Sequence, residues 1–323
     1  RVIKNLTNVS NSMNNNETLR YNEEFDYTFD RDQVEKIVVV VVPIFFGMIG
    51  ILGLVGNSLV VIVVAANPTM RSTTNILIIN LAVADLLFVI LCIPFTATDF
   101  VLPFWPFGNF WCKMVQYLII VTAYASVYTL VLMSLDSFQF FQNGKFTGKL
   151  NDNIFLTSII FRIFSYTFET IRDMDGSSSE NLTACRILPQ YNWPLFQMSF
   201  FLMSYLLPLM LICFFYICML IRLWRTDRVS AESRRGRKRV TRLVFVVVGV
   251  FAFCWCPIQV ILVTKSLDVY PLTSATIMVQ IASHILAYTN SCVNPILYAF
   301  LSDSFRKAFR KIIYCRPRSE QNR

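Results

Sequence analysis

Asp85, in NLAVADLL, is a carboxylate set in an otherwise apolar run, and Asn57, Ser126, Asn290, Ser291 and Asn294 lie equally deep in runs of their own. Polar groups in such surroundings are costly unless they face one another, water or an ion. A carboxylate, hydroxyls and amide oxygens that converge suit a small hard cation such as Na⁺, or a proton-linked switch. A hydrogen-bonded network that only positions helices is an equal alternative. Other chemistries have little to work with. The 323 residues hold one His, no His/Cys cluster at ligand spacing, no Gly-rich phosphate loop and no nucleophile with a suitable base. An enzyme is not expected.

The elements that must position these residues are apolar helices. The chain is 55% hydrophobic and 15% charged, with mean hydropathy +0.53, too apolar for a soluble protein with one core. A bilayer core of about 30 Å takes about 20 apolar residues per helix. Six spans meet this, near 37–66, 74–95, 111–135, 195–220, 243–263 and 274–301. A seventh candidate, 154–168, is short and carries Arg162 near its middle, which costs roughly 2.5 to 3.5 kcal/mol on insertion scales.

Charge settles the count. The loop expected before the 243–263 span holds RRGRKR at 234–239, which marks the cytosolic side, whereas the N-terminal tail carries Glu23, Glu24, Asp26, Asp30 and Asp32. Acceptor sequons at Asn5, Asn8 and Asn16 also place that tail outside, and Asn181 follows the weak segment. An outside start and an inside RRGRKR require an odd number of crossings, so the weak segment must cross. The expectation is an all-α, multi-pass plasma-membrane protein with seven transmembrane helices, an atypical fourth span, an extracellular N-terminus and a cytoplasmic C-terminus. Its parts are a disordered, glycosylated tail over 1–36, a helical domain over 37–302 and a juxtamembrane helix and tail over 303–323. The first residue is Arg1 and polar sequons follow, so no signal peptide is expected in it.

The final run puts Phe305, Phe309, Ile312 and Ile313 on one face and Arg306, Lys307, Arg310 and Lys311 around the other, the pattern of a helix lying on the inner membrane surface. Cys315 beyond it is a candidate palmitoylation site, an unmodified thiol being the equal alternative. Of nine cysteines, Cys112 and Cys185 alone fall in outer segments, where an oxidising compartment favours their pairing. RRGRKR suits anionic lipid; nucleic acid is not expected at a loop held between two spans. Pro208, Pro257 and Pro295 should kink three helices. Broken helices also suit a seven-helix transporter, but no inverted repeat is visible.

GNSLVVIVV with Asn57, LAVADLL with Asp85, CWCP ending at Pro257 and NPILY from Asn294 to Tyr298 resemble the helix signatures of rhodopsin-like (class A) G-protein-coupled receptors. Pro208 and Tyr216 match that family's fifth helix, and Cys112 with Cys185 match its outer disulfide. MRSTTNILIINLAVADLLF, FTATDFVLPFWPFGNFWCK and VSAESRRGRKRVTRLV resemble the insect allatostatin-A receptors, akin to vertebrate galanin receptors. The resemblance implies a receptor for an amidated neuropeptide that activates a heterotrimeric G protein, with no cofactor beyond Na⁺ as an allosteric ion. It implies a sodium site at Asp85, Ser126, Asn290 and Ser291. It implies a switch set of Asp136, Tyr216, Trp255, Pro257, Asn294, Pro295 and Tyr298. Ile119 stands where aminergic members carry Asp and Tyr288 where visual pigments carry Lys, so an amine counterion and a retinal Schiff base are excluded. A peptide cavity is expected from Phe95, Asp99, Gln116, Ile119, Ile120, Ala123, Trp255, Gln259, His284 and Tyr288.

One stretch departs. The family follows its third-helix Asp with Arg; here Asp136 is followed by Ser137, and the fourth span lacks the usual Trp. The two departures read as one replaced segment, from Ser137 to about Asn181. A signalling-defective or decoy receptor is therefore an alternative.

Overall fold

A computed structural model describes residues 17–67, 72–102, 104–143, 168–173, 182–187, 192–225, 231–271 and 273–313. Asn5, Asn8, Asn16, Asn181, Cys315 and the weak span up to residue 167 lie outside the described residues.

Helix α1 is Glu17–Ala66 and passes through Pro43. It begins twenty residues before the apolar run, so residues 17–36, expected as irregular tail, are helical. Nothing in that polar segment breaks a helix: it contains neither Pro nor Gly. Helix α2, Thr73–Leu91, starts where Ser72 Oγ accepts from the Asn75 amide at 3.2 Å. It ends at Cys92, from which α3, Ile93–Val101, continues with Pro94 in its first turn. Proline has no N–H to give back to residue 90, so the second span breaks at this point and extends to Val101 rather than stopping at residue 95.

Helix α4 is Gly108–Asn143, entered through Gly108 at φ +71°. Two strands follow, β1 at Phe168–Asp173 and β2 at Leu182–Ile187, paired antiparallel with Thr170 opposite Cys185. Among the described residues this strand pair is the one sheet, and the Cys112–Cys185 disulfide ties it to the start of α4, Cα to Cα 5.5 Å.

The fifth span is built in three pieces. Helix α5, Trp193–Phe201, starts with Asn192 Oδ1 accepting from the Leu195 amide at 3.0 Å, a π-helical turn occupies Leu202–Leu206, and α6 is Leu207–Arg225. Pro208 cannot bond the Ser204 carbonyl and its ring crowds that oxygen; the wider turn absorbs both. Helix α7, Ala231–Ser266, contains Pro257 and also RRGRKR, so the basic run sits in helix rather than loop. Arg and Lys are good helix formers, and one Gly costs about 1 kcal/mol. Helix α8, Ser274–Leu301, opens on a Thr273/Thr276 capping box and contains Pro295. Helix α9 is Asp303–Ile313.

Among the described residues, five stretches are long and apolar enough to cross a bilayer: Lys36–Ala66, Thr73–Val101, Gly108–Phe138, Trp193–Ile221 and Val244–Ser266. Helix α8 has 28 residues, about 42 Å at 1.5 Å per residue, and is more polar because it carries much of the buried polar cluster. Helix α1 packs on α2 and α8, α2 on α4, α4 on α6, and α7 on α8. Large apolar side chains such as Phe253 and Phe300 face outward, as a lipid environment allows. At the centre α1 comes close to its neighbours through two glycines. A Cβ on Gly53 would stand 2.8 Å from Val89, and one on Gly56 would stand 3.0 Å from the Pro295 ring.

Candidate functional site

A small cavity with mixed polar and apolar walls, with room for about one water-sized particle, lies at the middle of the bundle. It is lined by Asp85 and Phe88 from α2, Thr122, Ala123 and Ser126 from α4, Trp255 from α7, and Asn290 and Ser291 from α8. The four proposed ion ligands meet here. Phe88 and Thr122 escaped the sequence reading, although helical spacing puts Phe88 beside Asp85 and Thr122 beside Ser126. The Thr122 hydroxyl is spent within its own helix, on the Leu118 carbonyl at 2.7 Å.

The wiring around Asp85 fixes three helices. Asn294 Nδ2 donates to Asp85 Oδ2 at 2.9 Å, joining α8 to α2. Asn57 Nδ2 donates to the Ser291 carbonyl at 2.8 Å and to the Gly53 carbonyl at 2.9 Å, joining α1 to α8. The close approach at Gly53 and Gly56 is what lets so short a side chain span the gap. Asp85 is 1% exposed and Asn57 fully buried, so these bonds replace hydration the groups have lost. Asn290 Oδ1 is buried with no hydrogen-bond partner among the described residues. A carboxylate, two hydroxyl residues and an unpaired amide oxygen are the hard oxygen set a small cation takes.

Above this cavity the remaining ligand candidates divide. His284 meets Phe100 edge-on at 5.3 Å and lies 5.9 Å from Tyr288, which also packs against Phe88 at 4.9 Å and Phe46 at 5.2 Å. Phe95 belongs instead to an aromatic group by the disulfide, stacked on Trp111 at 4.9 Å and edge-on to Phe107 at 4.8 Å. Ile120 is buried in that same group, and Ile119 is half-buried between the two. Gln259 is 2% exposed, its Nε2 3.4 Å from Ser204 Oγ in the π-helical turn. Asp99 and Gln116 are half-buried on α3 and α4.

The switch candidates run from the cavity, which Trp255 lines and Asn294 adjoins through Asp85, to the end of α4 at Asp136. Tyr216 meets Phe245 at 5.4 Å between α6 and α7, and Trp255 stands 6.1 Å from Phe251. Tyr298 is fully buried, 5.5 Å from Phe305, and its hydroxyl has no partner among the described residues. The face of α9 that carries Phe305 and Phe309 is thus buried against the bundle. At the inner end of α4, Asp136 Oδ2 accepts from Thr74 Oγ1 at 2.7 Å, while Ser137 Oγ donates back to the Met133 carbonyl at 2.9 Å.

The pattern of the 7 transmembrane receptor (rhodopsin family) matches residues 56–298, three quarters of the chain. Over 308 residues the chain is 58% identical to an allatostatin-A receptor of Bombyx mori, covering 90% of this chain and 85% of that protein. It is 38% identical over 283 residues to a galanin receptor type 2 of Mus musculus, covering 84% and 76%. To a galanin receptor type 1 of Homo sapiens it is 36% identical over 304 residues, covering 90% and 85%. Receptors, not enzymes, make up this kinship. The signature residues on the spanning helices, a polar knot around Asp85 and the disulfide from α4 to β2 agree with it, and the chain belongs to the rhodopsin family of seven-transmembrane receptors.

Proposed function

We propose that this chain is a plasma-membrane receptor, N-terminus outside and C-terminus in the cytosol, for an amidated peptide of the allatostatin-A and galanin kind. The observation that carries the reading is the 58% identity to the Bombyx mori allatostatin-A receptor across nine tenths of the chain. The peptide enters from the outer side, over the face formed by His284, Tyr288 and Phe100, with Gln116, Ile119, Ala123 and Gln259 below the mouth. Trp255 stands both in the central cavity and beneath that face, so ligand contact and ion occupancy can bias one equilibrium between closed and open inner ends. Opening hinges at Pro257, moves Tyr216 and Tyr298 and admits a heterotrimeric G protein. Lipid meets the basic turns of α7 and the exposed face of α9.

Na⁺ fits the cavity, held by Asp85, Ser126, Asn290 and Ser291; the unpaired Asn290 Oδ1 supports this assignment. Na⁺ then favours the closed state. Asp85→Asn should remove the sodium sensitivity of agonist affinity, and an unchanged response to NaCl would dismiss the ion site.

A second reading has its own support. Ser137 stands where the family carries Arg, and its hydroxyl is consumed within its helix. Such a chain binds peptide without signalling, as a decoy. A GTP-exchange assay in cells, with allatostatin-A-type amidated peptides, separates the two. Exchange by the unaltered chain establishes signalling. Binding without exchange, with exchange gained in Ser137→Arg, establishes the decoy.

A further inference from the structure

The outer ends of α7 and α8 hold a cation that the central cavity does not use. Lys265 stands in the last turn of α7, half-buried, and its Nζ donates to Gln280 Oε1 at 3.3 Å. Gln280 is itself 6% exposed, so the bond lies between the helices rather than on open surface. The acceptor is a neutral amide oxygen. It orients the ammonium and occupies one of its three donors, but it does not neutralise the charge. A neutral side chain would tie the two helices equally well; a partly desolvated lysine is the costlier choice.

Its neighbours place this cation at the ligand mouth. Gln280 and His284 are four residues apart on α8 and therefore share a face, and His284 is the residue that meets Phe100 and Tyr288. Lys265 thus caps the aromatic face on its outer side. Asp268, three residues on, is exposed beyond the end of the helix, past a turn it makes at φ +56°. Asp99, half-buried on α3 and near enough for its charge to act on Tyr288, puts a carboxylate on the other side of the same face, so the mouth carries both signs and Lys265 supplies a positive one.

We propose that Lys265, seated on Gln280 beside the His284 face, is a specificity-determining residue whose ammonium receives a carboxylate of the bound peptide. The inference rests on the peptide-receptor reading. The carboxylate has two possible sources, an acidic side chain or a free C-terminus, and the probes must separate them.

The test is competition binding on full-length receptor in membranes. One probe set is an allatostatin-A-type amidated peptide with Asp or Asn placed in turn at each position before its end; the other is the same peptide as amide and as free acid. For an acidic side chain, one Asp peptide should bind about tenfold more tightly than its Asn twin. That preference should vanish in Lys265→Met, survive in Lys265→Arg and shrink with added salt. For a terminal carboxylate, the same pattern should follow the acid and amide pair instead. Equal weakening of every peptide by Lys265→Met would show a helix tie alone and overturn the proposal, as would no change for any peptide. Absence of saturable binding by monodisperse wild-type protein would overturn the peptide-receptor reading itself, and this one with it.

Discussion

The centre of the bundle and the inner end of α4 are both polar, yet they are wired differently. Around Asp85 two bonds cross between helices, Asn294 reaching from α8 to α2 and Asn57 from α1 to α8, beside the one that Asn57 makes to Gly53 in its own helix. At the inner end of α4, among the described residues, one crossing bond, from Thr74 to Asp136, stands beside one that stays within its helix, from Ser137 to Met133. A bond between helices fixes tertiary geometry, whereas an i→i−4 bond only adds to a turn that is already closed. The centre should therefore respond to substitution as a packed knot, and the inner end residue by residue.

The largest effect should come from the knot. Asn57→Leu removes two buried bonds at 2.8 and 2.9 Å and leaves the Ser291 carbonyl without the amide that reached it, a loss of about 2 to 3 kcal/mol. The melting temperature of the purified receptor should fall by several degrees. Gly56→Val should do at least as much for another reason, since the Pro295 ring already stands 3.0 Å from where a first Cβ would go and cannot turn aside. Wild-type melting for either variant would mean that α1 is held to α8 by its lipid-facing neighbours rather than by this contact.

That contrast also explains what could be read from sequence. Spans 74–95, 195–220 and 274–301 were legible because apolar runs of bilayer length have few alternatives, and the polar set around Asp85 stood out by its cost. Gly53 and Gly56 were not legible as a cradle, because a glycine in an apolar run has the same signature whether it faces lipid or another helix. The break at Cys92 and the π-helical turn before Pro208 depend on where a displaced carbonyl finds room. The helical state of RRGRKR is not legible, because charge marks the side of the membrane and says nothing of helix ends. Lys265 passed unnoticed since one lysine at the end of a span resembles an ordinary interfacial anchor; only its bond to Gln280 sets it apart.

A smaller effect should follow at the crossing bond of the inner end. Thr74→Val keeps the shape of the side chain and removes the 2.7 Å donor from Asp136, a carboxylate 7% exposed. A hydrogen bond to a charged group is worth about 1.5 to 3 kcal/mol, and water reaching that end of the bundle should restore part of it. The expected loss is about 1 kcal/mol, read as a fall in melting temperature smaller than that of Asn57→Leu. A fall as large as the knot's would show that α2 and α4 are latched there as firmly as α1 and α8 are at the centre.

The smallest effect should come from Ser137→Ala. Its hydroxyl bonds a carbonyl that the helix already satisfies, and back-bonding of this kind is neutral or slightly unfavourable. Stability should change by no more than about 0.5 kcal/mol, and peptide affinity not at all. Ser137→Arg is the sharper partner experiment, because it places a guanidinium next to Asp136 without touching the face around His284 and Tyr288. If the missing arginine is what limits signalling, this variant gains GTP exchange at unchanged peptide affinity, while Ser137→Ala gains nothing. A gain in both would place the limit in the serine's own bond. A gain in neither would place it elsewhere, and the residues between α4 and β1, where the fourth span was expected, would then be the place to look.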